Sequence, residues 1–575
     1  MHLIKRIFLI ILIFHSVLTN CNIHAQTKGA EIAYLHTDRT AYIAGESIYF
    51  KLYVLDVVTK QRSDISKVGY VVIRTVNSEP SLKIRVKVDA GLGYGSILLP
   101  DTLQSGVYQL IAYSNTTKNL GESHFFRKQI TIVNRYDKAL DFKVVSSAIK
   151  DSSLYKISGD ATQISIEKPI YLPREKVIVR LGKFDFNANV SVSVFEMPNI
   201  PSVYKTIGES SADLAVNKTS KKPQTYYSPE TKGKILRGTV VDSKTQQIVK
   251  DAVVLLSCVD SIPNLRYAVT NSKGVFQLLL SNYYNGKELY LTIRDVPESI
   301  NWQIKLENEF AQSEKWLPSL VAYTGNFKDD IVKSQNIVYI NKSFQAEQNQ
   351  TDKHNSERES ICPRFYNCPV ETIFPSNFTP LPDFLEIAVE ILPRVRIVKE
   401  NDNYKVQIVN NLTNEYSKNS PAIFLDGVLV DDVNKIIQLG TEEIRKIEII
   451  ESERAFGDLI FSGMISITTY KNEIENTRPA SHSVRVMNDN VNSGVNFNFT
   501  KPATLQQRNM PFLKQLLYWN PSLEITENTD TSFEFYTSDN LAEYMIKVEG
   551  ISSNGNPISA TARFQVTNPV KNTAK

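Results

Sequence analysis

Short runs of alternating apolar and polar residues, separated by glycine-containing turns, recur along this chain. One run, from Ile48 to Val54, follows a turn at Gly45 and places its apolar side chains on one face. A period of two residues is that of a half-buried β-strand. Tyr and Phe are plentiful, alongside many Val, Ile and Thr residues, which also favours sheet. The sequence therefore predicts a mainly β protein, and 575 residues are enough for several domains.

Two N-terminal segments carry recognisable phrases. Residues 30–134 contain YLHTDRTAYIAGESIYFKLYVLD and GLGYGSILLPDTLQSGVYQLIAY, and residues 164–197 read ISIEKPIYLPREKVIVRLGKFDFNANVSVSVFEM. Both segments resemble the macroglobulin-like domains of exported proteins from Bacteroidetes-type bacteria. The resemblance implies two immunoglobulin-like β-sandwiches, over residues 26–135 and 136–209. A polar linker is predicted at residues 210–232, where large apolar residues are few.

The next segment, residues 233–320, contains GKILRGTVVDSKTQQIVKDAVVLLS and then TNSKGVFQLLL. It resembles the carboxypeptidase-regulatory-like domain, a small β-sandwich that often precedes the plug domain of TonB-dependent receptors. Residues 321–380 are predicted to be a second polar linker.

Residues 421–470 read PAIFLDGVLVDDVNKIIQLGTEEIRKIEIIESERAFGDLIFSGMISITTY. A strand ends at Asp426-Gly427, a dipeptide suited to a tight turn with positive φ angles, and Gly457 and Gly463 mark later turns. The pattern resembles the plug domain of outer-membrane TonB-dependent receptors, which implies a small α+β module over residues 381–472. Its first helix is expected from Phe384, capped by Asp383.

The chain after this module is expected to lack a receptor's barrel. A 22-stranded barrel needs on the order of 220 residues in the membrane, more than residues 471–575 supply. Transport is therefore not carried over from the resemblance. Residues 473–575 are predicted to form one further β-sandwich, with Trp519 as a core anchor or, alternatively, a residue that stacks on carbohydrate.

The N-terminus has the layout of an export signal. Lys5 and Arg6 precede an apolar run, and small or polar residues follow up to Ala25. Cleavage after Ala25 would define residues 1–25 as a signal peptide. Lipidation at Cys21 is the alternative, although Asn20 departs from the small residue usual before a lipidated cysteine. The mature protein is predicted to be exported, in the periplasm or at the outer-membrane surface, with peripheral or lipid-anchored membrane association at most.

The cysteines after this segment are few. Cys362 and Cys368 lie in ICPRFYNCP and would form a disulfide in an oxidising compartment, or remain two thiols in a loop. Cys258 lies in the apolar run VVLLSCV and is predicted to be a buried small residue.

No catalytic, cofactor-binding or metal-binding residues are predicted. His36, His124, His354 and His482 are scattered without paired spacing for a metal, and no nucleophile or phosphate-binding motif occurs. The Cys-Gly-Glu-Gln thioester of protease-trapping macroglobulins is absent, so inhibitor activity is not implied.

Acidic residues of the plug-like module could in principle bind calcium through their carboxylates. Asp426, Asp431 and Asp432 lack the regular spacing of a known calcium loop, and turn and cap duties are predicted for them instead. The net charge of +4 gives no reason to expect nucleic acid as a partner.

These observations favour a non-enzymatic binding protein of the cell envelope, accessory to a TonB-dependent uptake system. Its expected partner is an envelope protein such as a TonB-dependent receptor. Two alternatives remain: a component of a nutrient receptor whose barrel is a separate chain, and a protease-binding macroglobulin relative.

Overall fold

The computed structural model is mainly β, with three α-helices among the residues it describes, and the predicted fold class is confirmed. The chain forms two compact units: unit 1 comprises Met1–Lys232, Phe310–Asn355 and Val491–Lys575, and unit 2 comprises Gly233–Glu309 and Ser356–Asn490. The structure describes residues 29–75, 80–137, 144–146, 164–197, 207, 225–281, 284–294, 296, 301–311, 316–317, 321–323, 327–343, 371–400, 403–430, 432–472, 474, 482–489, 491–492, 502 and 511–568.

Unit 1 begins with a sandwich of two sheets, called here the first sandwich. Its strands are β1 (Glu31–Thr37), β2 (Ala41–Ile43), β3 (Ser47–Asp56), β4 (Val68–Arg74), β5 (Pro80–Lys87), β6 (Leu92–Leu98), β7 (Gly106–Ser114) and β8 (Phe126–Val133). The sheet orders are β1-β3-β6 and β2-β8-β7-β4-β5. Phe50 and Leu110 are fully buried in the core between the two sheets.

The next segment of unit 1 supplies five strands: β9 (Val144–Ser146), β10 (Ile164–Ile166), β11 (Ile170–Tyr171), β12 (Lys176–Leu181) and β13 (Ala188–Glu196). Val190, Val192 and Val194 alternate with serines along β13 and are fully buried in a core of their own. This is the period-two pattern that the sequence predicts for a strand.

The first predicted linker, residues 210–232, is partly packed on the first sandwich. Tyr227 and Asn119 exchange two backbone-to-side-chain hydrogen bonds of 2.8 Å, and Tyr70 donates to the carboxylate of the buried Glu230 at 2.8 Å. The Lys118 ammonium lies 5.0 Å from the centre of the Tyr227 ring. The expectation of a linker is therefore wrong for residues 227–230, because specific side chains of the sandwich hold them.

Unit 2 begins with six strands: β14 (Lys234–Asp242), β15 (Val253–Cys258), β16 (Arg266–Val269), β17 (Val275–Leu280), β18 (Glu288–Ile293) and β19 (Trp302–Leu306). Strands β17, β14 and β19 form one sheet, while β16, β15 and β18 belong to another. Their facing sides enclose a small core that includes Val240, Leu256 and the buried Cys258.

The second predicted linker, residues 321–380, contains regular structure. It includes β20 (Val321–Tyr323), which pairs with β9, and the helix α1 (Phe327–Ser343). Ile337 of α1 is buried, and Asn341 donates a hydrogen bond to the Leu513 carbonyl at 2.9 Å. The polar composition of this segment hid the helix, because only part of one face is apolar.

The rest of unit 2 contains a five-stranded sheet, two short helices, two hairpins and one strand, β30, that joins the sheet of β18. Its elements are β21 (Glu371–Ile373), α2 (Phe384–Glu390), β22 (Val395–Glu400), β23 (Asn403–Ile408), β24 (Ala422–Leu425), β25 (Val428–Val430), α3 (Asn434–Ile437), β26 (Ile444–Ile450), β27 (Arg454–Phe456), β28 (Leu459–Phe461), β29 (Met464–Thr469) and β30 (Ser483–Met487). The sheet order is β21-β26-β29-β24-β25. Asp383 caps α2 by accepting a hydrogen bond from the Glu386 amide, as predicted.

The remaining strands return to unit 1: β31 (Leu516–Ile525), β32 (Thr531–Tyr536), β33 (Glu543–Ser552) and β34 (Pro557–Val566). They pair with the earlier strands in sheets ordered β10-β12-β32 and β11-β34-β33-β13-β31. Residues 136–209 and 473–575 were expected to form two separate sandwiches, and this is wrong. The two segments build one structure, called here the second sandwich, because β13 lies between β31 and β33.

Strand β30 also departs from the predicted domain boundary. It lies in residues 473–575 but pairs with β18 of unit 2, with Leu291 opposite Val484. Val484 and Val486 add to the core beneath that sheet.

Candidate functional site

A buried polar layer joins the two sandwiches of unit 1. In antiparallel pairs, residues directly opposite one another share a face of the sheet. Tyr34 and His36 of β1 lie opposite Tyr53 and Lys51 of β3, so these four side chains share one face of the first sandwich.

The second sandwich meets that face with polar residues of its own. Ser191 and Ser193 of β13 lie opposite Glu549 and Lys547 of β33. Both sets of side chains are almost entirely inaccessible to solvent. We call these residues the inter-sandwich layer: Tyr34, His36, Lys51, Tyr53, Asn189, Ser191, Ser193, Lys547 and Glu549.

His36 lies at the centre of the inter-sandwich layer. Its Nδ1 is 2.6 Å from the Ser191 hydroxyl, and its Nε2 is 3.8 Å from Oε2 of Glu549. The Tyr34 hydroxyl donates to the same carboxylate oxygen at 2.5 Å, and Tyr53 donates to the Glu549 carbonyl at 2.8 Å. The Lys547 ammonium pairs with the other carboxylate oxygen at 2.9 Å.

Burial determines the charge of His36. Desolvation holds the pKa of His36 well below its usual 6.5, and the cations of Lys547, Lys128 and Lys51 lower it further. The imidazole is therefore neutral at physiological pH.

Serine, histidine and carboxylate are the residue types of a hydrolase triad, but this arrangement does not serve that chemistry. Ser191 and His36 are both 0% exposed, and 3.8 Å is too long for a hydrogen bond between His36 and Glu549. A substrate has no access to the Ser191 oxygen. The cluster instead joins one sandwich to the other through the contacts of His36 with Ser191 and of Tyr34 and Tyr53 with Glu549. Nε2 of His36 and the Ser193 hydroxyl are buried without a hydrogen-bond partner.

The macroglobulin-like phrase HTDRTAYIAGE forms the connection between β1 and β3. Asp38 accepts hydrogen bonds from the Tyr49 amide and the Tyr42 hydroxyl, both at 2.9 Å. Arg39 forms an ion pair of 2.9 Å with Glu46. Burial raises the pKa of Asp38 to about 6, against the opposing effect of Arg39. These contacts brace the connection that brings His36 to the inter-sandwich layer.

The predicted residues Asp426 and Gly427 form the turn between β24 and β25, with φ angles of 48° and 84°. The Asp426 carboxylate accepts from the Thr469 amide at 2.7 Å and from its hydroxyl at 2.8 Å. The Asp426 carbonyl accepts a hydrogen bond of 2.9 Å from the Asp260 amide. A Cβ atom at position 427 would lie 2.6 Å from the Asp260 carbonyl oxygen, so this turn docks backbone to backbone.

The two other predicted glycines have different surroundings. A Cβ atom on Gly457 would lie 2.2 Å from the Tyr267 hydroxyl, whereas one on Gly463 would lie 2.9 Å from the Ile450 carbonyl oxygen. The first therefore permits contact with Tyr267 of β16, and the second permits close packing against β26 within the five-stranded sheet. Asp432 accepts from the Asn434 amide at 3.0 Å at the start of α3, and Asp431 lies outside the described residues.

Of the four cysteines, the structure describes only Cys258. Cys21, Cys362 and Cys368 lie outside the described residues. Cys258 is buried in β15, as expected. Within the described part of the chain no three His, Cys, Asp or Glu side chains converge as metal ligands, and no helix there is long and apolar enough to span a membrane.

Sequence reasoning missed the inter-sandwich layer because His36 was judged by spacing to other histidines. Trp519, predicted as a core anchor, is 1% exposed, and its ring centre lies 5.3 Å from that of His36. The alternation of Ser191 and Ser193 with valines marks one polar side of the strand, but such a side usually faces solvent.

The fold and this layer define a protein of tandem β-sandwiches locked by a polar interface. No protein-family model matches the sequence, and no curated protein matches it. Solved structures similar to the chain include bacterial α2-macroglobulins. The Salmonella protein reacted with methylamine is 7% identical, with 93% of this chain and 23% of that chain covered and a TM-score of 0.16.

Two further structures extend the comparison. Escherichia coli α2-macroglobulin activated by porcine elastase is 9% identical, over 94% of this chain and 44% of that chain, with a TM-score of 0.25. The Yersinia pseudotuberculosis adhesin InvE is 10% identical, over 48% of this chain and 58% of that chain, with a TM-score of 0.13. The chain spans less than half the length of these α2-macroglobulins, and no activity is taken from either likeness.

Proposed function

We propose that this chain is a non-enzymatic binding protein of the bacterial cell envelope that works in contact with an outer-membrane protein. The observation that carries the proposal is the enclosure of the plug-like sheet within unit 2. Ile447 and Ile465 point to one side, into a core shared with α2 and α3. Phe424 and Met464 join a different core that includes Leu255 of β15. A sheet covered on both faces is a rigid scaffold, and a partner would meet the elements that cover it.

The elements that cover one face of this sheet carry exposed apolar side chains. Val389 at the end of α2 is 80% exposed, and Leu412, in the turn that follows β23, is 86% exposed. The Arg396 guanidinium lies 3.9 Å from the centre of the Tyr416 ring in the same hairpin region. Apolar and aromatic side chains with a nearby arginine are the composition favoured in protein interfaces.

The finer proposal is an accessory role in TonB-dependent uptake. It rests on the order of the regulatory-like and plug-like segments and on their docking through Asp260 and Gly427. Deleting the gene in the native host tests this role. A growth defect restricted to one nutrient supports it, while unchanged growth on every nutrient that requires such uptake contradicts it.

Cross-linking in envelope fractions, followed by purification of the tagged protein, tests the broader proposal. An outer-membrane partner should be recovered in a fixed ratio with the wild type and lost with Leu412→Asp or Val389→Asp. Ile460→Asp is the matched control, because Ile460 of β28 is also exposed but lies in a different hairpin. Recovery of a lone monomer, or equal recovery with all variants, would contradict the proposal.

A further inference from the structure

Three side chains from three strands converge at one end of the inter-sandwich layer. The Lys51 Nζ of β3 contacts Oδ1 of Asn189 on β13 and lies 3.4 Å from the Asn189 carbonyl oxygen. The Asn189 Nδ2 contacts Oε1 of Glu524 on β31 and donates to the Ser522 hydroxyl at 2.7 Å. An amine, a carboxamide and a carboxylate therefore stand in a row.

We propose that Lys51 and Asn189 react with each other to form an intramolecular isopeptide bond, with Glu524 as the proton carrier. The Lys51 nitrogen attacks the side-chain carbonyl carbon of Asn189, and the carbonyl electron pair moves to Oδ1. The Glu524 carboxylate accepts a proton from the attacking nitrogen and delivers it to Nδ2. The bond between that carbon and Nδ2 then breaks and ammonia leaves. An amine and a primary amide become a secondary amide and ammonia, without oxidation or reduction.

The surroundings of Lys51 supply the nucleophile. Its side chain is fully buried, and its ammonium position lies 4.7 Å from the centre of the Tyr53 ring. Burial lowers the pKa of Lys51 to about 7, although the charge of Glu524 opposes that shift. A lysine of ordinary pKa is neutral in only about one molecule in 2,500 at pH 7, whereas at this pKa about half are neutral.

The surroundings of Asn189 supply the electrophile and a route for the leaving group. The contact between its Oδ1 and Lys51 holds the amine beside the carbonyl group, so only a short movement from the oxygen to the neighbouring carbon is needed. Its Nδ2 contacts the carboxylate that must protonate it. Glu524 is exposed to solvent, so the released ammonia has an exit on that side.

The bond would tie β3 of the first sandwich to β13 of the second. Lys51 and Asn189 are 138 residues apart in the chain. The covalent link would thus close a long loop and hold together the interface that the inter-sandwich layer already aligns. A hydrogen-bonded pair without a covalent bond is the competing interpretation, and mass spectrometry separates the two.

The intact mass of the full purified chain is the first measurement, taken after denaturation. We expect the wild type to be lighter than its sequence by about 17 Da, the mass of one ammonia. Protease digestion should release a branched peptide that joins the Lys51 and Asn189 segments. Cyclisation of an N-terminal glutamine releases ammonia too, so the branched peptide is the deciding signal.

Variants assign the roles. Lys51→Met and Asn189→Ala should restore the sequence mass at this site, and Glu524→Gln should slow bond formation at least tenfold. Lys176→Met, at an exposed lysine of the second sandwich that lies outside this layer, should keep the branched peptide. Circular dichroism confirms that each variant is folded. A folded wild type with no branched peptide would overturn the proposal, and bond formation at the wild-type rate in Glu524→Gln would overturn the role of Glu524.

Discussion

Nδ1 of His36 lies 2.6 Å from the Ser191 hydroxyl, although the two residues are 155 positions apart and belong to different sandwiches. Each residue occupies the polar face of its own strand. The two polar faces pack on each other, so donors and acceptors that would normally face water meet across a dry interface. The stability of unit 1 therefore depends on the protonation of a few buried groups.

The first prediction concerns pH and His36. Burial holds the pKa of His36 in the folded chain well below 6.5. Below pH 6.5 this imidazole therefore binds a proton in the unfolded chain but not in the folded chain. This histidine should therefore cost unit 1 about 1.4 kcal/mol of stability for each pH unit below 6.5, until its folded pKa is reached. Chemical unfolding of the wild type and His36→Gln at pH 7.5 and 5.5 checks this. The difference between the two proteins isolates His36, since Asp38, Lys51 and Lys128 titrate in both. An identical pH slope in the two would contradict the assignment.

A second prediction concerns the turn at Gly427. Alanine there would bring Cβ within 2.6 Å of the Asp260 carbonyl oxygen and 2.7 Å of the Cys258 carbonyl oxygen, at a φ of +84°. We expect Gly427→Ala to lower the free energy of unfolding of unit 2 by about 2–4 kcal/mol. Gly106→Ala, whose Cβ would meet only a tyrosine ring atom at 3.7 Å, should change stability by less than about 0.5 kcal/mol. Thermal unfolding of both variants measures these changes. Equal losses of stability in the two variants would argue against the close docking of this turn.

A third prediction concerns the segment at residues 225–230. The Tyr227 ring lies 5.0 Å from the Lys118 ammonium, and the Tyr227 backbone is hydrogen bonded to the Asn119 side chain, whereas the neighbouring Tyr226 is 69% exposed. Tyr227→Ala should raise the rate of limited proteolysis in this segment about tenfold, because about 1.4 kcal/mol of local contact is lost. Tyr226→Ala should leave the rate unchanged. Faster cleavage in the second variant alone would reverse the assignment.

The fourth prediction concerns Glu31, a fully buried carboxylate in β1. It accepts hydrogen bonds from Ser63 and Thr116 at 2.6 Å and from Ser114 at 2.8 Å. Glu31→Gln turns an acceptor into an amide donor that faces hydroxyl donors, so unit 1 should lose about 2–4 kcal/mol of stability. Glu543→Gln is the control, since its carboxylate is half exposed and should contribute at most about 0.5 kcal/mol. Denaturant unfolding measures both, and equal effects would show that hydroxyl contacts do not hold Glu31.

Local signals predicted local structure well. The cap at Asp383, the turn at Asp426-Gly427 and the alternation along β13 are each determined by a few neighbouring residues. Such features follow from backbone geometry and from the period of the strand. The sequence could not show that β13 pairs on both sides with strands more than three hundred residues later.

The inter-sandwich layer escaped prediction for a related reason. Lys51, Ser191 and Glu549 are polar residues at alternate strand positions, a pattern that indicates exposure to solvent. These residues are buried only because the second sandwich packs against the first. The helix α1 was missed because its polar residues resemble a linker until the surface it contacts is known.

The divided construction of the second sandwich has a consequence for the order of events during synthesis. Asn189 and Ser522, hydrogen bonded to each other, are separated by 333 residues. At ribosomal speeds of about 5–20 residues per second, β13 waits roughly 20–70 seconds for the strands that flank it. Throughout that delay β13 lacks the strands on both of its edges, and its valines have only the earlier strands of the same segment, such as β12, to pack against. A chain truncated before β31 would therefore leave half of this sandwich permanently unfinished.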